Sequence, residues 1–422
     1  MAIKSITVSN FKSFDEVDVQ LGAFNVLIGA NASGKSNFVQ IFRFLGDIGD
    51  QGLENAVSMQ GGVEYLRNIR IGSSRDLALR VVSDQRFTIT MGVPVGEGTV
   101  GLRAEELIYE FAMSFDDHAG SFDIAHDTLT LTGEILGSDS PLGGFGEANN
   151  LGFGDVILSN TGGKLYCHSD LPEGVVFGKG LISMAFFGRE QHVPPRALLM
   201  QMIPLLFFRH PRSTQLLGDI SIYDFDPKLS QKAIPLTGRM ELEENGSNLA
   251  IVLRNILEAK EKRRRFLNLL KDVLNFVDDA DVIRFTDRSL ILALRETYTG
   301  DAFLPASFLS EGTIRVVALI IALYFDDNPL VIIEEPERNI HPFLIARVVD
   351  MLKEPSEKKQ IIVTTHNPEV VKHAGVENIL LVSRDKEGFS TITRPSDSEQ
   401  VAVFLRNDIG VADLFVQDLL GV

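Results

Sequence analysis

Phe24-Asn25-Val26-Leu27-Ile28 runs directly into Gly29-Ala30-Asn31-Ala32-Ser33-Gly34-Lys35-Ser36-Asn37. The first five residues are apolar but for Asn25 and read as a buried strand. Gly29 to Ser36 spell G-x-x-x-x-G-K-S, the Walker A pattern. Each residue type has a physical task. The glycines let backbone N–H groups turn inward around phosphate oxygens. A helix predicted from about residue 35 to 45 adds the positive end of its dipole. Lys35 reaches the β- and γ-phosphates, and Ser36 is placed to ligate Mg²⁺. A Gly-rich turn alone would carry no such chemistry; the strand before it and the helix after it are the context the motif requires. The candidate phosphate-binding set is Gly29, Asn31, Ser33, Gly34, Lys35, Ser36 and Asn37.

Downstream, Leu330-Val331-Ile332-Ile333 is fully apolar and ends in Glu334-Glu335-Pro336-Glu337. Two adjacent carboxylates at the end of a buried strand are costly unless a cation or a proton satisfies them. The carboxyl ends of strands are also where open α/β sheets bind ligands. Strand alternation points Glu334 and Glu335 to opposite sides. One carboxylate therefore suits a Mg²⁺ ion and its waters, and the other suits polarising a water for attack. Ser310 precedes a long apolar helix predicted over 312–325 and is a natural N-cap. The strand predicted at 360–365 ends in His366-Asn367-Pro368, where a histidine can hydrogen-bond a terminal phosphate.

From residue 310 onward strand and helix alternate: helix 312–325, strand 330–334, helix 343–353, strand 360–365, helix 368–373, strand 378–382. That rhythm predicts a parallel α/β sheet. Short strands are also predicted at 3–8 and 15–21. Residues 76–132 hold several β-like stretches, read as antiparallel hairpins. Residues 133–154, rich in Gly, Ser and Asn, read as a loop, and 181–217 read as helical. Residues 245–277 read as helix with a charged centre, and 282–296 as strand. There is no internal repeat and no sustained heptad pattern.

The 422 residues carry 40 Lys+Arg against 57 Asp+Glu, a formal net charge of −17. Length alone suggests two or three folding units. A composition 45% hydrophobic and 23% charged excludes a disordered chain. The acidic balance argues against a surface that coats nucleic acid, yet it allows a local basic patch. Lys260-Glu261-Lys262-Arg263-Arg264-Arg265 is the dense basic run. On a helix such a run is ordinarily a solvated face; nucleic-acid phosphates or a protein partner are the alternatives. The pairs Asp224-x-Asp226 and Asp397-x-Glu399 read as surface turns rather than metal sites. A single cysteine, Cys167, excludes a disulfide framework and a Cys-rich zinc site. Polar residues interrupt the N-terminus too often for a signal peptide. The longest apolar run, Val316 to Phe325, is ten residues, against about 20 for a membrane span. The expectation is a soluble, cytoplasmic protein with no membrane contact.

In chain order these motifs resemble those of the ATPase heads of the ABC superfamily, in its RecF/SMC-like branch. The likeness extends to predicted RecF-like ATPases and to the ATPase half of OLD-family proteins. Asn10-Phe11-Lys12-Ser13-Phe14 is similar to the branch's N-terminal motif, which implies that Lys12 and Ser13 lie on the ribose and adenine side of the nucleotide. Leu309-Ser310-Glu311-Gly312-Thr313 resembles the signature motif, which implies that Ser310 and Gly312 bind the γ-phosphate of ATP held by the other protomer. Glu334-Glu335 is similar to a Walker B motif plus catalytic glutamate, Glu337 to Pro342 to the D-loop, and His366 to the switch histidine. Tyr223-Asp224-Phe225 and Gly246-Ser247-Asn248-Leu249 resemble middle segments of RecF-like ATPases. Two departures stand out. The usual Walker B ends in Asp-Glu, and here it is Glu-Glu; Glu335 is assigned as the base and Glu334 to the Mg²⁺ side. Gln191, Gln201 and Gln215 all fall near the expected Q-loop, none has a decisive context, and its position stays open.

The resemblance implies an α/β fold: a P-loop NTPase of ABC-ATPase head type, with a mixed central sheet, an antiparallel β lobe and a helical insertion. Residues 1–132 would form the first part of the head, with Walker A and the β lobe. Residues 133–300 would be an inserted loop and helical region, 301–395 the second part of the head, and 396–422 a tail packing on it. The implied cofactors are ATP and Mg²⁺, with Ser36 and Glu334 on the metal and Lys35, Glu335 and His366 as the catalytic set. The implied activity is ATP hydrolysis by two heads that bury two ATP molecules between them and then part. It would serve anti-phage defence or DNA integrity, alongside a separately encoded nuclease or toxin. Two alternatives are implied as well. One is a recombination mediator gripping DNA through Lys260, Lys262, Arg263, Arg264 and Arg265; the other is a slow-hydrolysing scaffold that holds an effector. The lack of long heptad arms tells against tethering by coiled coils. OLD-family proteins carry a Toprim nuclease after the ATPase. Here 56 residues follow His366, fewer than the roughly 100 such a domain needs, so no nuclease activity is expected of this chain by itself.

Overall fold

A computed structural model of the chain describes residues 3–84, 86–92, 99–116, 120–138, 148–173, 175, 193–194, 196–201, 220–406 and 410–420. Five strands run parallel in the spatial order Ile220–Tyr223, Leu330–Glu334, Gln360–Thr364, Phe24–Ile28, Ile379–Arg384. Phe24–Ile28 and Gln360–Thr364 are buried at every position, and Leu330–Glu334 at all but the last. Parallel strands covered on both faces need continuous apolar runs, which is why these segments do not alternate. The helix Glu311–Tyr324 buries every residue from Thr313 to Leu323. Helices Pro342–Lys353 and Pro368–Ala374 start on proline behind side-chain caps from His341 and Asn367.

The described residues fall into two compact units, each built from separate chain segments. The parallel strands belong to the unit drawn from 23–35, 220–383 and 393–422. A small antiparallel sheet in this unit sets Ser289–Glu296 between Ile234–Pro235 and Val277–Thr286, with Phe303–Pro305 also paired to it. The expected division after residue 300 thus falls inside one sheet. The single helix expected over 245–277 is two, Leu249–Glu258 and Lys260–Val273, broken at extended Ala259. The first buries most of its surface, whereas the second buries only Phe266, Leu270 and Val273. Ala259, at φ −93° and ψ 114°, leaves the helical region and redirects the chain between them. Val277 already belongs to the next strand. In the C-terminal helices and tail, Val401, Leu414 and Leu420 join the apolar core of this unit.

The other unit, drawn from 1–22, 36–219 and 384–392, is an antiparallel sheet. Its order is Phe14–Gln20, Ile3–Phe11, Leu77–Ser83, Thr99–Asp116, Ser121–Ser138, Asn149–Thr161, Lys164–Asp170, with Phe87–Gly92 also on Thr99–Asp116. The loop expected at 133–154 is corrected at both ends, because 133–138 and 149–154 are paired strand, Gly133 opposite Gly154. The reason is close approach: a Cβ on Gly133 would stand 2.0 Å from the Arg103 carbonyl oxygen, beside a bulge between Ala104 and Glu106. Glycines there serve pairing rather than a turn. The helix expected to end near 45 runs Lys35–Gln51 and stops at Gly52, φ 85°. Of the helix expected over 181–217, residues 181–192 and 202–217 lie outside the described residues. No helix among the described residues is long and apolar enough to cross a membrane.

Asp127 is fully buried in this sheet and accepts hydrogen bonds from the Tyr109 hydroxyl (2.9 Å), Asn160 Nδ2 (3.3 Å) and Leu199 N (2.9 Å). Burial outweighs those bonds and pushes its carboxyl up to about 6. The folded chain therefore holds a proton that the unfolded chain releases between about pH 4 and 6. This group's contribution to stability is greatest below that window and is lost as pH rises through it. The wild-type melting midpoint, relative to that of Asp127→Asn, should fall on going from pH 4.5 to 6.5. A constant difference across that range would contradict the assignment.

Candidate functional site

Register brings the site together. Leu27 pairs with Thr364, and Thr364 with Glu334, so three parallel strands end at one level. Just past that level, Glu335 N donates to Thr364 O (2.9 Å) and Thr365 N to Leu27 O (2.9 Å). The loops that follow these strands carry Gly29–Lys35, Glu335 and His366.

The loop after Ile28 needs its glycines. A Cβ on Gly29 would sit 2.2 Å from the Val382 carbonyl oxygen, and Gly34 has φ 124°. Ala32 adopts φ 61°, a left-handed position inside the same turn. Lys35 folds back over the loop, its Nζ 2.7 Å from Gly29 O and 3.0 Å from Ala30 O. Burial holds the Lys35 ammonium below the usual lysine range, and the charge of Glu335 partly restores it. A half-buried lysine bonded only to carbonyls has good reason to exchange them for phosphate oxygens.

Glu335 lies at φ 44°. Its carbonyl accepts from Arg315 Nη1 (3.0 Å), and Arg315 Nη2 reaches Phe225 O (2.6 Å). Arg315 is fully buried in the otherwise apolar helix Glu311–Tyr324, so its charge is matched by backbone dipoles. Glu335 Oε1 is 2.9 Å from His366 Nδ1, and Oε2 accepts from Arg338 Nε (2.9 Å) and Nη2 (2.6 Å). Burial raises the Glu335 carboxyl, but Arg338 and His366 more than offset it and hold it below the usual range. Nearby, buried Glu337 accepts from the Thr365 hydroxyl (2.5 Å), and burial pushes its carboxyl up.

Ser310 caps the helix Glu311–Tyr324, its Oγ accepting from Thr313 N (3.1 Å). Gly312 leaves no room for a side chain, since a Cβ would stand 2.5 Å from Asn339 O. Lys12, Ser13, Ser36 and Asn37 lie in the unit of the antiparallel sheet. There the Ser13 hydroxyl accepts from Asn37 Nδ2 (2.7 Å) and meets Ser390 Oγ (2.8 Å), while Lys12 turns at φ 47°. Gln201 Oε1 accepts from Leu198 N (2.8 Å); Gln191 and Gln215 lie outside the described residues.

The family described as "AAA domain, putative AbiEii toxin, Type IV TA system" matches residues 203–372, and "AAA ATPase domain" matches residues 1–60. The structure of the SMC head bound to the C-winged helix domain of ScpA aligns over 93% of this chain and 97% of that one, at 15% identity and a TM-score of 0.51. The chain shares the fold of an SMC head, and two of its stretches match AAA ATPase families. The SMC head domain from Thermotoga maritima aligns over 93% of this chain and 99% of its own, at 15% identity and a TM-score of 0.44. A stretch of 47 residues is 43% identical to Endonuclease GajA of Bacillus cereus (strain VD045), 11% of this chain and 8% of that protein.

Sequence reasoning missed Arg315 and placed Glu337 and Arg338 in a D-loop-like stretch without giving either a role. A lone arginine inside an apolar helix was a readable sign of a buried role, whereas the partners of Arg338 and Glu337 are set by tertiary contacts. In the basic run, Arg263 pairs with Asp279 (2.8 Å) and Arg265 stacks over Tyr324 and Phe325, while Lys260, Lys262 and Arg264 are exposed. Asp226 caps the short helix Pro227–Ser230, which accounts for one acidic residue of the Asp224-x-Asp226 pair. No three His, Cys, Asp or Glu among the described residues gather as a metal cage. Mg²⁺ that arrives with a nucleotide needs only one or two protein oxygens, and a hydroxyl and a carboxylate such as Ser36 and Glu334 suit it. Lys35→Ala should weaken binding of Mg·ATP at least about ten-fold, the loss of roughly 1.4 kcal/mol of charge-assisted contact. Calorimetric titration checks this, and an unchanged affinity contradicts the role of Lys35.

Proposed function

We propose that this chain is an ATP-hydrolysing switch in which two copies close on two ATP molecules and part after hydrolysis. The observation that supports it most is Lys35, seated on the carbonyls of its own glycine loop within the field of the Glu335–His366 pair. Gly29–Ser36 wraps the phosphates with backbone N–H groups, and Lys35 neutralises them. Glu335 orients the attacking water and takes its proton, and His366 holds the other side of that carboxylate and reaches the γ-phosphate. Ser36 and Glu334 would hold Mg²⁺, whose charge offsets that of the phosphates. Lys12 and Ser13 serve the ribose and adenine side, and Asn31 and Asn37 belong with the phosphate-binding set. Ser310 and Gly312 serve the nucleotide of the second copy.

The setting we infer is anti-phage defence, with a separate nuclease or toxin as effector. The AbiEii-type family description and the short likeness to Endonuclease GajA favour it. Direct DNA gripping draws less support, because Arg263 and Arg265 already have partners within the fold. Glu335→Gln should lower the turnover number at least about 100-fold, the usual worth of a general base, while Mg·ATP affinity is kept. Phosphate release in that variant within a factor of two of wild type would remove Glu335 from the reaction.

A further inference from the structure

Both oxygens of Glu335 are engaged, and on one side by a cation that no step of the reaction requires. Arg338 places Nε and Nη2 on Oε2, at 2.9 and 2.6 Å. Its remaining nitrogen, Nη1, lies 3.5 Å from Asp224 Oδ1. Asp224 directly follows the edge strand Ile220–Tyr223, so its carboxylate stands at the same end of the sheet as Glu335. One guanidinium therefore spans two carboxylates, tightly bound to the base and loosely approaching the other.

That arrangement opposes the chemistry, on the reading that Glu335 is the base. A carboxylate that takes a proton from water loses its charge, and with it most of its attraction to Arg338. The contact thus stabilises the resting state more than the transition state, the reverse of what catalysis needs. The turn that carries Arg338 is also tied to the signature segment. Asn339 bonds Glu311 through its side chain, and Gly312 packs directly on the Asn339 carbonyl. A second copy that presses on Ser310 and Gly312 would push on this turn.

We propose that Arg338 is a latch on Glu335, and that Asp224 is the seat to which its guanidinium moves when two copies close on ATP. Arg338 is a positioning residue, acting only through Glu335. Both ends of the latch are about half exposed, so variants at either end test it without disturbing the core.

Steady-state ATP turnover of the full chain provides the test. Arg338→Gln should raise the turnover number about five-fold, the factor that about 1 kcal/mol of released contact gives, with KM and Mg·ATP affinity unchanged. Asp224→Asn should lower it by a similar factor, because Arg338 then has no second seat, and should have no effect in the Arg338→Gln background. A turnover number that falls or stays level in Arg338→Gln overturns the latch, as does a parallel loss in both single variants. Glu335→Gln separates the two levels. If it abolishes turnover and Arg338→Gln brings no gain, the latch alone fails. If it leaves turnover intact, the role of Glu335 itself has failed.

Discussion

The site depends on a register. Leu27, Thr364 and Glu334 lie in one row across three parallel strands, and each strand ends at or just after that row. Parallel pairing makes all three chains leave the sheet on the same side. A slip of one residue in any of them would exchange its two buried faces, forcing both to repack, and would shift Lys35, Glu335 or His366 by about 3.3 Å. The apolar runs Val331–Ile333 and Ile361–Val363, buried to the last atom, make that slip costly. The same burial that holds the sheet together thus holds Lys35, Glu335 and His366 at a fixed spacing.

Charge is the second constraint. The strand ends gather Glu334, Glu335 and Glu337 around Lys35, Arg315 and Arg338. Each carboxylate meets a different solution. Glu337 is buried, accepts from the Thr365 hydroxyl, and is pushed toward its neutral form by burial. Glu335 stays ionised because Arg338 and His366 face it. The Glu335 backbone, in an uncommon left-handed conformation, is held there by the Arg315 fork. A buried arginine that binds carbonyls rather than a carboxylate adds fixed geometry without a second buried charge.

What could be read in the sequence was local. Gly29–Ser36, the apolar strands and the cap Ser310 are decided by residues next to one another, and each is where the pattern placed it. Misreadings arose where distant partners decide. The glycines at 133–154 signalled a turn, but Gly133 is there because the Arg103 backbone passes beside it. The break at Ala259 answers to which neighbours each helix half must bury. Arg338 looks like any surface arginine until Glu335 and Asp224 are brought to its sides by the sheet. Gly312 had a sequence reading as a ligand for a second chain's nucleotide. Within its own chain it is already required, by the Asn339 carbonyl against which it packs.

The account assigns half of each nucleotide site to a second copy, since Ser310 and Gly312 would act on ATP held by another chain's Lys35. Hydrolysis should then require pairing. The most direct measurement is phosphate release per chain as a function of protein concentration, with saturating Mg·ATP. The account predicts that turnover per chain rises with concentration to a plateau, and that a mixture of Lys35→Ala and Ser310→Arg chains, each inactive alone, recovers part of the activity. Turnover per chain that is constant down to concentrations at which the protein is monomeric, with no recovery in the mixture, would contradict it.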